Sequence, residues 1–560
     1  MKKHIKYLIG IGALVTIAST GCKKDFFNRP PESSLTAGNF YQTVAEVQAS
    51  TNILYGNPWF GLNGKAFLAI GDLQSGNLRC DAGTDGEFDA LRNFSEGNST
   101  TDVQSAWNSL YTVVAQCNAL LTNLPVSAPS SIPGPVVNNA LGEARLMRAC
   151  AYFYLVRNFG NVPIVTDPTS EVTTFQTVPA NPVTDVFNFI ERDLQYAEAN
   201  CTPGVAHTGH GSSASASALL AKVYLYEQKY ALAKTEAEKV INSGEFQLVP
   251  SANYVNLFEA KYNNNVESIL AEQWLGVGSN GYNKGNQLQS VIADSENGNF
   301  LTGTGDGYGE MGPSWDLQDL YTANGDMVRS YGTIQYANSF YPELHAADGG
   351  YTTPYAVDEA GTHCACKKYV TGTPADQGGV ASAQDAANNT YLMRYSDVLL
   401  IEAEAIMGIG SSVQPGTGIS LTYSSSDPTA LKYINMVRQR AGIAPFPSSF
   451  TYQQLLNERR MEFAIEGDYW FDLQRLDGFN PPTWTASGLT APHPVAEALI
   501  AAQNRGGSTG AGTAPTYATG WSRNVVNVTA NDGTFYLPVP ASESAADPAL
   551  IKAPVHNPNY

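Results

Sequence analysis

Basic residues are scarce in this chain: 32 Lys and Arg stand against 51 Asp and Glu in 560 residues, a net charge of −19. No Lys/Arg cluster interrupts that balance, so the basic face that a phosphate backbone requires is missing and nucleic acid is excluded as a partner. Charge of either sign is sparse, at 15%, whereas 43% of the residues are hydrophobic. A disordered chain shows the reverse, so a packed core is expected. Cysteine is limited to Cys22, Cys80, Cys117, Cys150, Cys201, Cys364 and Cys366, at spacings that fit no zinc pattern. The stretch His363 to Cys366, "HCAC", lacks a second ligand pair, and Cys117 and Cys150 sit among apolar helical residues as small hydrophobes.

Catalytic motifs are absent or out of context. Neither H-E-x-x-H nor G-x-x-x-x-G-K-[ST] occurs. "GGSTG" (Gly506 to Gly510) matches the nucleophile elbow in letters, but it lies in low-complexity sequence with no strand before it. "DAGTDGE" (Asp81 to Glu87) begins like a calcium loop, yet its twelfth position is Arg92. A structural calcium is therefore not indicated, and no metal or cofactor is expected. Glu458, Glu462 and Glu466 share one helical face, with Asp468 and Asp472 following, but Arg459, Arg460 and Arg475 run alongside. That arrangement predicts a buried ion-pair network and not the acid and nucleophile of a glycosidase. Glu402 and Glu404 are two apart and point to different faces.

No long apolar run follows the first twenty residues. Lys2, Lys3 and Lys6 precede an apolar stretch from Tyr7 to Ala18. A span needs about 20 residues, so this is expected to be an export signal. Ser19-Thr20-Gly21-Cys22 resembles a bacterial lipobox, with Ser19 where Leu is preferred; the resemblance implies cleavage before Cys22, which then carries the lipid anchor.

Helical periodicity marks 102–124, 140–160 (with Gly160 as C-cap) and 184–200 (with Thr184 as N-cap). Residues 214–246 read as two helices joined near Gln228 to Tyr230. There, small residues such as Ala218 and Ala221 alternate with Leu220 and Tyr224, a tetratricopeptide-like pattern. A further pair is expected over 391–408 and 429–442, another helix over 451–467, and a first one over 43–54. "PVSAPSSIPGP" (Pro125 to Pro135) reads as a loop. The fold class expected is mostly α: a helix-pair scaffold with long loop-rich insertions forming a ligand face. The insertions are 56–102, 247–389 and 478–534, too long for connectors. The chain holds 30 Tyr, 22 Phe and 7 Trp. Such rings stack on sugar faces, although most aromatics in any large domain are core.

Several stretches together resemble the SusD/RagB family of Bacteroidetes outer-membrane lipoproteins. They are "RPPESSLTAGNFYQTVAEV", "AWNSLYTVVAQCNALL", "GEARLMRACAYFYLVRNFGNVPIV", "RYSDVLLIEAEA", "YINMVRQRAG", "NERRMEFAIEGDYWFDLQRL" and the closing "FYLPVPASE…NPNY". The chain departs at Asp468-Tyr469-Trp470, where the family has an arginine region, and at "HGSSASASALLAK". The resemblance implies a signal peptide over 1–21, a SusD-like helical region over 22–246 and a C-terminal region over 247–560. It implies a protein that binds and does not cleave, held outside the outer membrane by its lipid. It would act as a lid over a SusC-like TonB-dependent transporter. The implied cargo is an oligosaccharide or polysaccharide, the alternatives being a peptide-binding relative of the same fold or a lipid-anchored glycoside hydrolase. Ligand-binding candidates are Asp72, Arg79, Asn93 and Phe94 in the first insertion, and Trp274, Tyr282, Trp315 and Tyr341 in the second.

Overall fold

The computed structural model describes residues 40–557 except 81–85, 168–177, 277–283, 295–300, 355–363, 415, 486–487, 507, 510–521 and 524–525. The leader with Cys22, candidate Tyr282, His363 and part of both the calcium-like and the elbow-like stretches lie outside the described residues.

Helices carry the architecture. Thr101–Ser127 (α1), Gly134–Phe159 (α2), Val183–Asn200 (α3), Ser213–Tyr226 (α4) and Tyr230–Ser243 (α5) precede a long excursion. Tyr395–Ser411 (α6), Pro428–Arg440 (α7), Tyr452–Phe463 (α8), Tyr469–Gln474 (α9) and Pro494–Ala502 (α10) follow it. From α1 to α7 each helix packs on the next, including α5 on α6, and α8 returns against α6. The excursion between α5 and α6 therefore leaves the stack unbroken, as a repeat-like scaffold requires.

The small–large pattern explains the close packing. Ala216, Ala218 and Ala221 on α4 and Ala233 and Ala237 on α5 are all fully buried. Ser212 caps α4 by accepting from the Ser215 N–H. Between α5 and α6 the Tyr230 ring lies on Gly408, where a Cβ would come within 2.4 Å of it. Gly160 closes α2 at φ 68, as the sequence predicts.

Four local expectations are corrected. α1 runs on to Ser127 with Pro125 in its last turn, where a missing amide breaks one bond instead of the helix. Pro182, not Thr184, is the N-cap of α3, its fixed φ suiting an extended lead-in. The first helix covers only Val44–Ala49, after which the chain tightens into a 3₁₀ turn at Asn52–Tyr55. Tyr391 to Arg394, read as the first turn of a helix, is extended. Six of the short strands matter here: Leu78–Arg79 (β1), Ser268–Glu272 (β2), Gly312–Pro313 (β3), Thr390–Arg394 (β4), Thr483–Thr485 (β5) and Gly488–Thr490 (β6). They pair antiparallel as β1 with β3, β2 with β4 and β5 with β6. The β2 partner supplies the backbone bonds that hold residues 390–394 out of the helix.

The expected ion-pair network is present and lies in the core. Arg394 donates to Glu267 at 2.6 Å, to Glu462 at 2.9 Å and to Glu466 at 2.8 Å. Arg329 reaches Glu458 at 2.7 Å and Glu462 at 3.1 Å, and Arg440 also donates to Glu462. Arg459 holds Asp397 at 2.8 Å, Asp468 at 3.0 Å and Asp472 at 2.8 Å. Glu404 accepts from Arg475, while Glu402 faces Lys234 at 3.8 Å, so the two do diverge.

Candidate functional site

A cleft of about 1070 Å³ opens beside the C-terminal end of α2. Four separate pieces of chain wall it. The 94–98 turn brings Phe94, Glu96 and Asn98; the end of α2 brings Phe159 and Asn161; the β5–β6 hairpin and α10 bring Trp484, Leu489, Thr490 and Glu497; and 531–551 brings Asn531, Asp532, Thr534 and Tyr536. Backbone bonds tie these pieces together: the Leu537 N–H donates to the Asn158 carbonyl at 2.7 Å, Ala541 to Asn98 at 2.7 Å and Ala491 to Asp532 at 3.1 Å. The Gln474 side-chain amide, at the end of α9, donates to the carbonyls of Arg157 and Phe535 at 2.7 and 2.9 Å.

Gly160 lies under this cleft. A Cβ there would come within 2.5 Å of Leu489 and 3.2 Å of Tyr536, so the absent side chain makes room for both. Phe94 has φ 55, a left-handed conformation costly for an aromatic residue. Its ring is held by a stack: Phe94 on Trp470 at 5.7 Å, Trp470 on Phe535 at 5.3 Å, and His493 against Phe535 at 4.1 Å. The Arg505 guanidinium lies 5.4 Å from the Phe94 ring centre.

The electrostatics of the cleft are acidic. Burial pushes the Glu96 carboxyl up to about 7. Glu497 is raised by burial and by the neighbouring charge of Asp532. Behind the aromatic stack, burial lowers the His493 imidazole to about 4, so it is neutral at ordinary pH. Aromatic faces, amides and carboxylates in one cleft can stack on a sugar ring and bond its hydroxyls.

Of the residues singled out from the sequence, Phe94 lines this cleft and exposed Asn93 adjoins it. Arg79, half-buried, and Trp315 are brought near each other elsewhere: Arg79 pairs with Gly312 across β1–β3, and Trp315 starts the helix just beyond. Trp315 is nevertheless buried, and Asp72, Trp274 and Tyr341 do not reach a surface either. Asp72 is buried, and its carboxylate accepts from the N–H groups of Ile465 and Gly467, each at 2.8 Å, and from Asn77 at 3.0 Å. Burial raises that carboxyl to about 6. Trp274 is buried with its indole N–H on Thr390 at 3.0 Å. Tyr341 is fully buried, donates to the Ile334 carbonyl at 3.1 Å and stacks on Tyr331. The sequence reading missed Trp484, Tyr536, Glu96 and Asp532. The available signals were the loop-rich 478–534 insertion and the closing "FYLPVPASE".

Comparison with known proteins places these features in context. A family model described as the SusD family matches residues 343–560, and one described as starch-binding, associating with the outer membrane, matches 88–225. A SusD-like protein of Bacteroides ovatus is 30% identical over 485 residues, covering 84% of this chain and 83% of its own. SusD-like protein P2 of Formosa agariphila is 26% identical over 500 residues, covering 85% and 91%. A crystal structure with xylogluco-oligosaccharide superposes with a TM-score of 0.76 at 28% identity, over 91% of this chain and 99% of that one.

Proposed function

Because the chain belongs to the SusD family, we propose that it is a surface lipoprotein that captures glycan in the cleft beside α2 and passes it to a TonB-dependent transporter. The observation that carries this reading is the cleft itself: Phe94, Trp484 and Tyr536 offer rings, and Asn98, Asn161, Asn531 and Asp532 offer polar groups around them. The relative solved with xylogluco-oligosaccharide supports it. Capture without cleavage is the reading that fits. The helix stack α1–α7 supplies a rigid frame for the transporter, and co-extraction with a barrel transporter from outer membranes tests that partner.

Affinity electrophoresis and calorimetry against a panel of glycans and peptides test the cargo. At least one glycan should bind, with no release of reducing sugar. Trp484→Ala should weaken that binding about tenfold, equivalent to about 1.4 kcal/mol. Retention by peptides alone would move the reading to the peptide-binding alternative.

Localisation rests on the lipobox-like sequence at Cys22, since no helix among the described residues is long and apolar enough to cross a membrane. Cys22→Ala should shift the protein from the outer-membrane fraction to the soluble fraction with its fold intact by circular dichroism. Continued retention by the membrane would refute the anchor.

A further inference from the structure

The polar groups of the cleft are unbalanced in a way that bears on which glycan it takes, an inference that rests on the reading of the cleft as the glycan site. Glu96, Glu497 and Asp532 line it, and no Lys or Arg does among the described residues. Arg505, beside the Phe94 ring, is buried and bonded to Gln503 at 2.7 Å, and exposed Lys552, next to lining residue Ile551, does not itself line the cleft. We infer that the cleft selects neutral glycans and rejects those bearing uronate or sulfate groups.

A sugar hydroxyl both donates and accepts, so it can donate to a carboxylate and accept from the amides of Asn98, Asn161 or Asn531. A uronate or sulfate only accepts. Set against these carboxyl groups once ionised, it meets acceptors where it needs donors, and it meets like charge; Glu96, held up at about 7 by burial, joins them only as pH rises past that value. Sites built for carboxylate or sulfate present Arg, whose fork pairs two oxygens at once. Here the arginines are spent elsewhere: Arg92 on Asp89 at 2.7 Å and Arg460 on Asp316 at 2.6 Å. The chain's net charge of −19 extends the repulsion beyond the cleft.

The test is a set of matched pairs: polygalacturonate and its carboxyl-reduced form, and a sulfated galactan and its desulfated form, alongside xyloglucan as a neutral glycan. Dissociation constants are measured by calorimetry or affinity electrophoresis in low salt. For the pair whose neutral member binds, or for xyloglucan against both polyanions, the acidic glycan should bind at least tenfold more weakly. Added salt should narrow the gap by screening. A double variant, Glu497→Gln with Asp532→Asn, should reduce the ratio of acidic to neutral dissociation constants about tenfold. The ratio cancels any general loss of folded protein. Equal binding of acidic and neutral members, or an unchanged ratio in the double variant, overturns the inference and leaves the cleft reading standing. Glycan binding that Trp484→Ala does not alter removes the cleft reading, and this inference with it.

Discussion

Arg394→Met should leave little folded protein under conditions where the wild type is intact. Arg394 is 1% exposed, and its guanidinium serves Glu267, Glu462 and Glu466 together with the Ser396 hydroxyl at 2.8 Å. It also donates to the Glu462 carbonyl at 3.1 Å. Methionine keeps the apolar stem and removes every one of those donors. Removing one partner from a buried ion pair costs about 3–5 kcal/mol, because the remaining charges stay desolvated. A whole domain is stable by only about 5–15 kcal/mol. The loss should show as a fall in the urea midpoint or in soluble yield, and Arg394→Lys should recover part of it by restoring charge without the fork. A midpoint unchanged from wild type would show that Arg329, Arg440 and Lys368, which donates to Glu466 at 2.8 Å, suffice alone.

The same network fixes an acid limit. The surrounding Arg440, Arg394 and Arg329 overcome the cost of burial and hold the Glu462 carboxyl well below the usual carboxylate range. A depressed pKa contributes stability that is fully present above the unfolded value, about 4.5, and is lost as pH falls through the folded one. Wild-type stability should therefore decline below about pH 4.5, and less of that decline should remain in Arg394→Met.

What could be read from the sequence follows from which interactions are local. The α4–α5 pair was legible because Ala218, Ala221, Ala233 and Ala237 repeat at helical spacing and every one is buried. The ion-pair core was legible because Glu458, Glu462 and Glu466 recur every four residues with arginines beside them. Tyr391 to Arg394 was not, since a short half-apolar run suits strand and helix alike and only its partner β2, more than a hundred residues earlier, decides. The cleft was mostly hidden for the same reason. Its walls come from residues near 94, 160, 490 and 535, and no local spacing records that they meet. Ring type alone misdirected the choice of Trp274 and Tyr341, because a core and a ligand face use the same aromatic residues. Asp72, a candidate because it lies in the first loop-rich insertion, instead accepts from backbone N–H groups at 465 and 467.

That contact sets up the second large effect: Gly71→Ala should destabilise the fold by about 3 kcal/mol or more, an outsized cost for a single added methyl. Residues 69–73 form one turn of π-helix, a rare arrangement. A Cβ on Gly71 would sit 2.3 Å from the Gly467 Cα and 2.6 Å from the Gly467 carbonyl oxygen. Both are backbone, so no rotamer change relieves the overlap. Gly467 has little room to retreat, since its own missing side chain already makes room for the Phe67 ring, 2.7 Å from where a Cβ would lie. Pushing the two segments apart also separates Asp72 from the amides of Ile465 and Gly467. Each buried group so abandoned costs about 1–3 kcal/mol, in addition to about 1–3 kcal/mol for overpacking. Hydrogen exchange should show lost protection at those two amides together with a lower melting temperature. Gly86→Ala is the control: among the described residues, chain neighbours aside, no atom lies within 4 Å of its Cβ position, and it begins a short helix, Gly86–Arg92, so its stability should stay within about 0.5 kcal/mol of wild type. Equal stability of the two variants would mean that the 71–467 approach relaxes without cost, and that the Asp72 contacts do not anchor the turn at 69–73.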